Sequence, residues 1–322
     1  MKKITHLVFA GNALRTLCLC GILRYLYCYQ LDKDIHNVAG TSMGAFFAMA
    51  FALKIPIEIL EEFIYETCKE NDFNSINPSK FFNVINDLGV TSSMNYFFKI
   101  KEYIKEKYEQ DDMTFIELSK KNGVNLFIST TRINDGMNVI FNVNDTPNVS
   151  IISAVAASMC IPFLSKPIFI DGYYYIDGFL TDNYPHEVFK GVHKDNILGV
   201  AVNVNSDYEI TKIEKDTDIN FMPYITNIMR IFYINTYKHS YKNKIESLED
   251  TLIIKESPIK SIFTPDITND RIKLYLEKDE MNNLFLQGFK EVNDYINARN
   301  SYSNNSNLDL CFCDKSSIFQ EI

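Results

Sequence analysis

No run of Lys and Arg in this chain approaches the density that a phosphate backbone requires. The charge balance leans the other way, with 32 basic against 41 acidic residues and a net charge of −9. Nucleic acid is thereby excluded as a partner. Paired cysteine spacings are also missing: the seven cysteines, scattered from Cys18 to Cys313, form neither a disulfide framework nor a zinc site, and Cys18 and Cys20 are too close for a C-x-x-C pair. The setting this implies is reducing and cytosolic. No apolar run reaches the ~20 residues needed to span a bilayer, and the most apolar later stretch, Val149 to Leu164, is interrupted by Pro162. Met1-Lys2-Lys3 and the apolar residues up to "LCLCG" imitate a secretory signal, but Asn12 and Arg15 break the segment. Tryptophan is absent while Asn, Ile, Lys and Tyr are heavily used, a bias that suits an AT-rich genome such as that of a parasite or a large DNA virus. No internal repeat is visible.

What is present is enough for a folded core: 322 residues, 46% of them hydrophobic, make one large α/β domain or two small ones. "HLVFA" (6–10) reads as a strand, and Ala13 to Tyr29 carries apolar residues at helical spacing. "IHNVAG" gives a second strand, followed by a helix over "MGAFFAMAFALKI" that ends before Pro56. The pattern stays helical, with Asn-rich loops, to Tyr108. Thr114 and Glu117 stand at capping-box spacing. "VNLFISTTRI" and "MNVIFNVN" flank Asn134-Asp135-Gly136, which predicts two strands and a tight turn. A buried helix over "SIISAVAASMCIPFL", strand character through "PIFIDGYYYIDGFLTDNYP", and a last buried strand at "NILGVAVNVN" follow. Beyond Asp207 the pattern is mostly helical, and from about Asn300 the composition is that of a loose tail.

The chemistry begins at Gly40-Thr41-Ser42-Met43-Gly44, a G-x-S-x-G placed between a β-type run and a helix, the context of a nucleophile elbow. Glycines allow a sharp turn that projects the Ser42 hydroxyl, and the helix that follows aims its first N–H groups at developing negative charge. On its own the pentapeptide is equally a small residue capping a helix. Two further stretches sharpen the reading. Gly11-Asn12-Ala13-Leu14-Arg15-Thr16 follows the first strand directly, and Asp177-Gly178 is followed by Asn183 and Pro185.

Together these resemble the patatin-like phospholipase family, which carries G-G-G-x-R-G at the first place and D-G-[GA] with a downstream N-x-P at the second. "STTRINDGMNVIFN" and Ala157-Ser158…Pro162 resemble two further landmarks of that family in the same order, over roughly residues 6 to 205. The resemblance implies an α/β class fold: a three-layer α/β/α sandwich with a mostly parallel central sheet, here with a helical C-terminal extension. It also implies a Ser-Asp dyad that hydrolyses acyl esters of membrane or micellar glycerolipids, with no histidine, metal or organic cofactor. Carried over by position, Ser42 is the nucleophile and Asp177 its base. Gly11, Asn12, Ala13 and Arg15, with the N–H of Met43, form the oxyanion hole, and Gly40 and Gly44 belong to the elbow. The implied organisation is a catalytic core over 1–205, a helical part over 206–300 packed on it, and a tail over 301–322. The implied location is cytoplasmic, with peripheral contact to membranes.

The match has departures. Only the first glycine of the oxyanion loop survives, Phe179 replaces the small residue after Asp177-Gly178, and Asn12 tolerates left-handed backbone angles better than Ala13 does. "IDG" also occurs at Asp171, which reads as a hairpin turn, and Asp182 is a third acidic candidate. A Ser-His-Asp esterase using His186, His193 or His239 is the first rival reading, and a catalytically silent lipid-binding protein the second. Phe221, Ile225, Ile228 and Phe232 share a helical face suited either to core packing or to lipid. Cys160 reads as a small buried residue rather than a reactive thiol.

Overall fold

The structure is a computed structural model that describes residues 3–69, 88–91, 97–203, 224, 228, 231, 235, 245–254, 264–266, 271–273 and 276–303. Its centre is an eight-stranded sheet. Strands β1 (His6–Phe9), β2 (Asn37–Thr41), β4 (Asn125–Arg132), β9 (Ile197–Val202) and β10 (Thr251–Ile254) run parallel in the order β10-β9-β1-β2-β4. β5 (Asn138–Asn142) and β8 (Tyr173–Asp177) are antiparallel to β4, and β7 (Ile168–Ile170) closes a hairpin with β8. Short strands β3 (Gly89–Thr91) and β6 (Phe163–Ser165) pair apart from this sheet, as do β11 (Thr264–Asp266) and β12 (Arg271–Lys273). The expected α/β class and mostly parallel sheet are thus present. β10 is an addition: "NILGVAVNVN" forms a strand, β9, but it is not the last one.

Alternation along the strands sends side chains to two cores. Leu7, Phe9, Val38, Leu198 and Val200 face one cluster, and Val8, Ala10, Ala39, Ile197 and Ala201 face the other. The first cluster is covered by α1 (Cys18–Cys28), α2 (Met43–Ala52), α3 (Ile57–Lys69), α4 (Phe98–Tyr108), α5 (Phe115–Asn122), α6 (Ile151–Ser158) and α7 (Lys278–Ser303). On the second face the described residues supply Tyr184, Phe189 and Ile245. The Thr114–Glu117 capping box opens α5 as its spacing predicts. The Asn134-Asp135-Gly136 turn joins β4 to β5, with Gly136 at φ 73°. One boundary differs: the helix read from Ala13 opens as a 3₁₀ turn over Ala13–Leu17, and the α-helix begins only at Cys18.

The C-terminal helix α7 is clamped onto α1 by backbone contact. A Cβ added to Gly21 would lie 1.8 Å from the Phe285 carbonyl oxygen, and one added to Gly288 would lie 1.8 Å from that of Cys18. Glycine is therefore required at both crossings. Of the face proposed over residues 221–239, Phe221, Ile225 and Phe232 lie outside the described residues and Ile228 is half-buried. We predict that Gly288→Ala destabilises the protein by about 1–3 kcal/mol through overpacking. A solvent-facing helix position would instead gain up to about 1 kcal/mol from the same change. Urea titration of the two proteins measures the sign, and a stabilised variant would refute this packing.

Candidate active site

β4 has two edges, and their use decides the site. β5 pairs with Phe127–Thr131 and so occupies one edge throughout; β2 pairs with Asn125–Ser129 and β8 with Thr130–Arg132, which places both on the other edge. The two strands run in opposite directions and meet end to end: Thr41, the last residue of β2, lies opposite Ser129, and Asp177, the last of β8, lies opposite Thr130. There is no room for a side chain between the ends. A Cβ on Gly178 would stand 2.4 Å from the Ser129 carbonyl oxygen and 2.9 Å from Thr41 Cγ2.

Ser42 is the single residue between β2 and α2, and it absorbs the whole reversal at φ 54°, ψ −128°, a region that costs a non-glycine residue about 1–3 kcal/mol. The elbow glycines serve close approach rather than the turn itself. A Cβ on Gly40 would lie 2.4 Å from the Gly44 carbonyl oxygen, and one on Gly44 would lie 2.4 Å from that of Phe9. The strain is held from behind. Ser42 N–H donates to Ser158 Oγ at 2.8 Å, and Ser158 Oγ donates to the Ser129 carbonyl at 2.6 Å. Ser158, legible in the sequence only as part of the Ala157-Ser158…Pro162 landmark, is thus the brace of the elbow.

From that position Ser42 Oγ donates to Asp177 Oδ2 at 2.7 Å. Asp177 has no exposed surface, and burial pushes its carboxyl up to about 7; the hydrogen bonds from Phe179 N–H and the Ser42 hydroxyl offset that only in part. Its backbone is fixed too, with the N–H donating to the Cys160 carbonyl at 2.9 Å and its carbonyl accepting from Thr131 Oγ1 at 2.9 Å. Cys160 is buried, with its thiol pushed upward by burial and bonded to the Lys166 carbonyl, as a small core residue should be.

The other two acidic candidates are elsewhere. Asp171 sits exposed at the tip of the β7–β8 hairpin, at φ 47° beside Gly172 at φ 89°. Asp182 contributes its backbone carbonyl, which accepts from Thr41 Oγ1 and Ser129 Oγ and so pins the loop after Asp177 across the strand ends. The described histidines all lie at the opposite, N-terminal edge of the sheet. His6 opens β1, His36 precedes β2, His193 precedes β9, and His186 pairs at 2.9 Å with Asp250 just before β10. From Asp250 to Ser42 is three strands across and about four residues along, roughly 15–20 Å. His239 lies outside the described residues.

The loop after β1 lies against Ser42: a Cβ on Gly11 would be 2.8 Å from Ser42 Cβ and 2.7 Å from Asn183 Oδ1. Asn183 holds it through two bonds, accepting from Gly11 N–H at 3.1 Å and donating its side-chain amide to the Gly11 carbonyl at 2.7 Å. Gly11 N–H is therefore spent on Asn183 and is not an oxyanion donor. Asn12 does not take left-handed angles. Its φ is −159° and its side chain donates to the Val202 carbonyl, while the positive φ, 46°, falls on Ala13. Among the described residues no partner accepts from the N–H groups of Ala13 or Met43. Arg15 is buried within the 3₁₀ turn that follows.

Comparison with known proteins agrees with this architecture. The model of the patatin-like phospholipase family matches residues 7–190. The uncharacterized protein R571 of Acanthamoeba polyphaga mimivirus is 25% identical over 302 residues, covering 92% of this chain and 94% of that protein. The probable lipid hydrolase 463L of Invertebrate iridescent virus 6 is 29% identical over 194 residues, covering 60% of this chain and 65% of that one. Among solved structures, VipD from Legionella pneumophila superposes with a TM-score of 0.53 at 13% identity, over 92% of this chain and 67% of VipD, a likeness of fold. With the family model spanning more than half of its length, the chain belongs to the patatin-like phospholipase family.

Proposed function

We propose that this protein is a lipid acyl hydrolase that cleaves fatty acyl esters of glycerolipids through a covalent acyl-Ser42 intermediate. Family membership and the hydrolase-named viral relative support lipid hydrolysis in general. The single observation that carries the mechanism is the 2.7 Å bond from Ser42 Oγ to the fully buried Asp177. Ser42 Oγ attacks the ester carbonyl carbon as its proton passes to Asp177 Oδ2. The N–H groups of Met43 and Ala13 and the positive end of α2 stabilise the oxyanion, with Arg15 supporting their loop. Asp177 returns the proton to the departing alcohol, leaving acyl-Ser42. Water then attacks that ester, gives its proton to Asp177, and the fatty acid leaves as Ser42 regains its hydrogen. The strained elbow keeps Oγ within reach of the base through both halves of the cycle. We place this activity in the cytoplasm, at the surface of membranes or micelles; among the described residues no helix is long and apolar enough to cross a bilayer.

Ser42→Ala and Asp177→Asn should each lower fatty acid release from mixed glycerophospholipids on the order of 10⁴-fold, and the double variant should be barely worse because the pair acts as a unit. His186→Ala, His193→Ala and His239→Ala should retain most activity. A comparable loss in any histidine variant with an intact circular dichroism spectrum would transfer the role of base to that histidine.

The raised carboxyl sets the pH dependence. The base must be ionised, so kcat/KM should rise with one proton's slope to a plateau above about pH 7. Stability has the opposite sign. Between the unfolded carboxyl's ~4 and the folded value of about 7 the native state holds the extra proton, so the contribution of Asp177 falls as pH rises through that window. Asp177→Asn should therefore raise the melting temperature at pH 8 and change it little at pH 4. A melting temperature lowered at pH 8 contradicts the burial argument.

Ala13 bears the left-handed angle in a loop that glycine would fill without strain. Ala13→Gly should change stability by no more than about 1 kcal/mol, with relief of strain opposing the entropy that glycine adds to the unfolded chain, and should preserve or raise turnover. A collapse of kcat in this variant, measured on the same lipids, would show that the side chain rather than the backbone is needed.

A further inference from the structure

We propose that the free end of β8, with the β4–β5 turn locked to it, is the surface by which this protein docks on a zwitterionic lipid bilayer; the proposal rests on the lipid-hydrolase reading and names where such a substrate surface is met. Five large apolar side chains stand exposed there: Phe169 at 60%, Met137 at 58%, Ile133 at 47%, Tyr174 at 46% and Tyr173 at 44%. They come from two turns that form one body, because Ile133 N–H donates to the Tyr174 carbonyl at 2.8 Å and Tyr174 N–H donates to Asn134 Oδ1 at 3.1 Å. Exposed apolar side chains grouped in this way mark an interaction site.

Its shape favours lipid over protein. Phe169 and Tyr174 pair across the hairpin with ring centroids 4.9 Å apart, and Tyr173, the next residue along the strand, points to the other face beneath the Arg132 guanidinium at 4.8 Å. Aromatic side chains therefore project from both faces of one ribbon. A flat protein partner covers one face, whereas a headgroup layer surrounds a protruding tip, and tyrosine suits that boundary because its ring is apolar and its hydroxyl polar.

Charge selects the class of lipid. Arg132 is spent on Asp135 in a forked pair at 2.6 and 3.0 Å, and Asp171 stands exposed at the tip, so among the described residues these two turns offer no cationic cluster, in a chain whose net charge is −9. Phosphatidylcholine rather than an anionic lipid fits this surface, and Asp171 holds insertion to headgroup depth. Location ties the surface to catalysis. The same strand that ends in Asp177 begins at this tip with Tyr173, four residues or roughly 13 Å away, beyond the C-terminal end of β4.

The chain contains no tryptophan, so Phe169→Trp in a Ser42→Ala background puts a single tryptophan, excited selectively over the tyrosines, at the tip. With dioleoylphosphatidylcholine vesicles its emission should shift to the blue and be quenched by the brominated lipid. Absence of binding, or binding with unchanged emission, overturns the proposal. In the otherwise wild-type protein, Phe169→Ser/Tyr173→Ser/Tyr174→Ser should lower hydrolysis of those vesicles at least tenfold and leave hydrolysis of a water-soluble short-chain ester within twofold. Equal loss on both substrates, or no loss on vesicles, contradicts it. So does concentration-dependent self-association that the triple variant abolishes, which would assign the surface to a second copy. If the wild type cleaves neither substrate while the tryptophan still enters the bilayer, the hydrolase reading fails and the docking surface stands.

Discussion

One edge of β4 is shared by two strands that arrive from opposite directions, and every feature of the Ser42–Asp177 pair depends on that sharing. β2 delivers Ser42 as it leaves the edge at Ser129, and β8 delivers Asp177 as it arrives at Thr130. Neither residue is brought by a long loop, so the pair inherits the rigidity of a sheet. The cost is local crowding. Gly178 has no space for a Cβ, Ser42 is held at a positive φ, and a carboxylate is sealed from water. These burdens are tolerable because the neighbours determine them: Ser158 braces the elbow from α6, and Thr131, Phe179 and Cys160 hold Asp177.

In the proposed mechanism, burial of Asp177 also has a chemical consequence. An exposed aspartate near pH 7 is too weak a base to accept a serine proton readily, whereas a carboxyl raised to about 7 is matched to the working pH. In the proposed mechanism the desolvation that destabilises the folded protein is thus the same effect that suits Asp177 to act as the base. This pattern of local instability traded for reactivity is expected where function and fold compete.

Much of this was legible in the sequence, and the reasons are physical. Ser42 and Asp177 stand at strand ends, with Gly40, Gly44 and Gly178 near them at positions where a Cβ has no room, so the packing leaves a pattern in the neighbours of the proposed reactive groups. The capping box at Thr114 and the turn at Gly136 are local interactions, readable without knowing the fold. What escaped depends on distant partners. The four residues "TLII" of β10 are too few to show a period, and only pairing with β9 makes them a strand. Ser158 and Asn183 were visible as landmarks, but their work, bracing Ser42 and clamping Gly11, spans 116 and 172 residues of chain. Asn12 tolerates left-handed angles better than Ala13, yet the positive φ falls on Ala13, while the Asn12 side chain donates to the Val202 carbonyl.

The account's central claim is that Asp177, through its bond to Ser42, makes that hydroxyl a nucleophile. Covalent labelling by a fluorophosphonate, followed by mass mapping of the labelled peptide, tests it most directly. Labelling is predicted on Ser42 alone, at a rate that falls as pH drops below about 7, and is lost on Asp177→Asn with the fold retained. Labelling of Asp177→Asn at the wild-type rate, or of a different serine, would contradict the account.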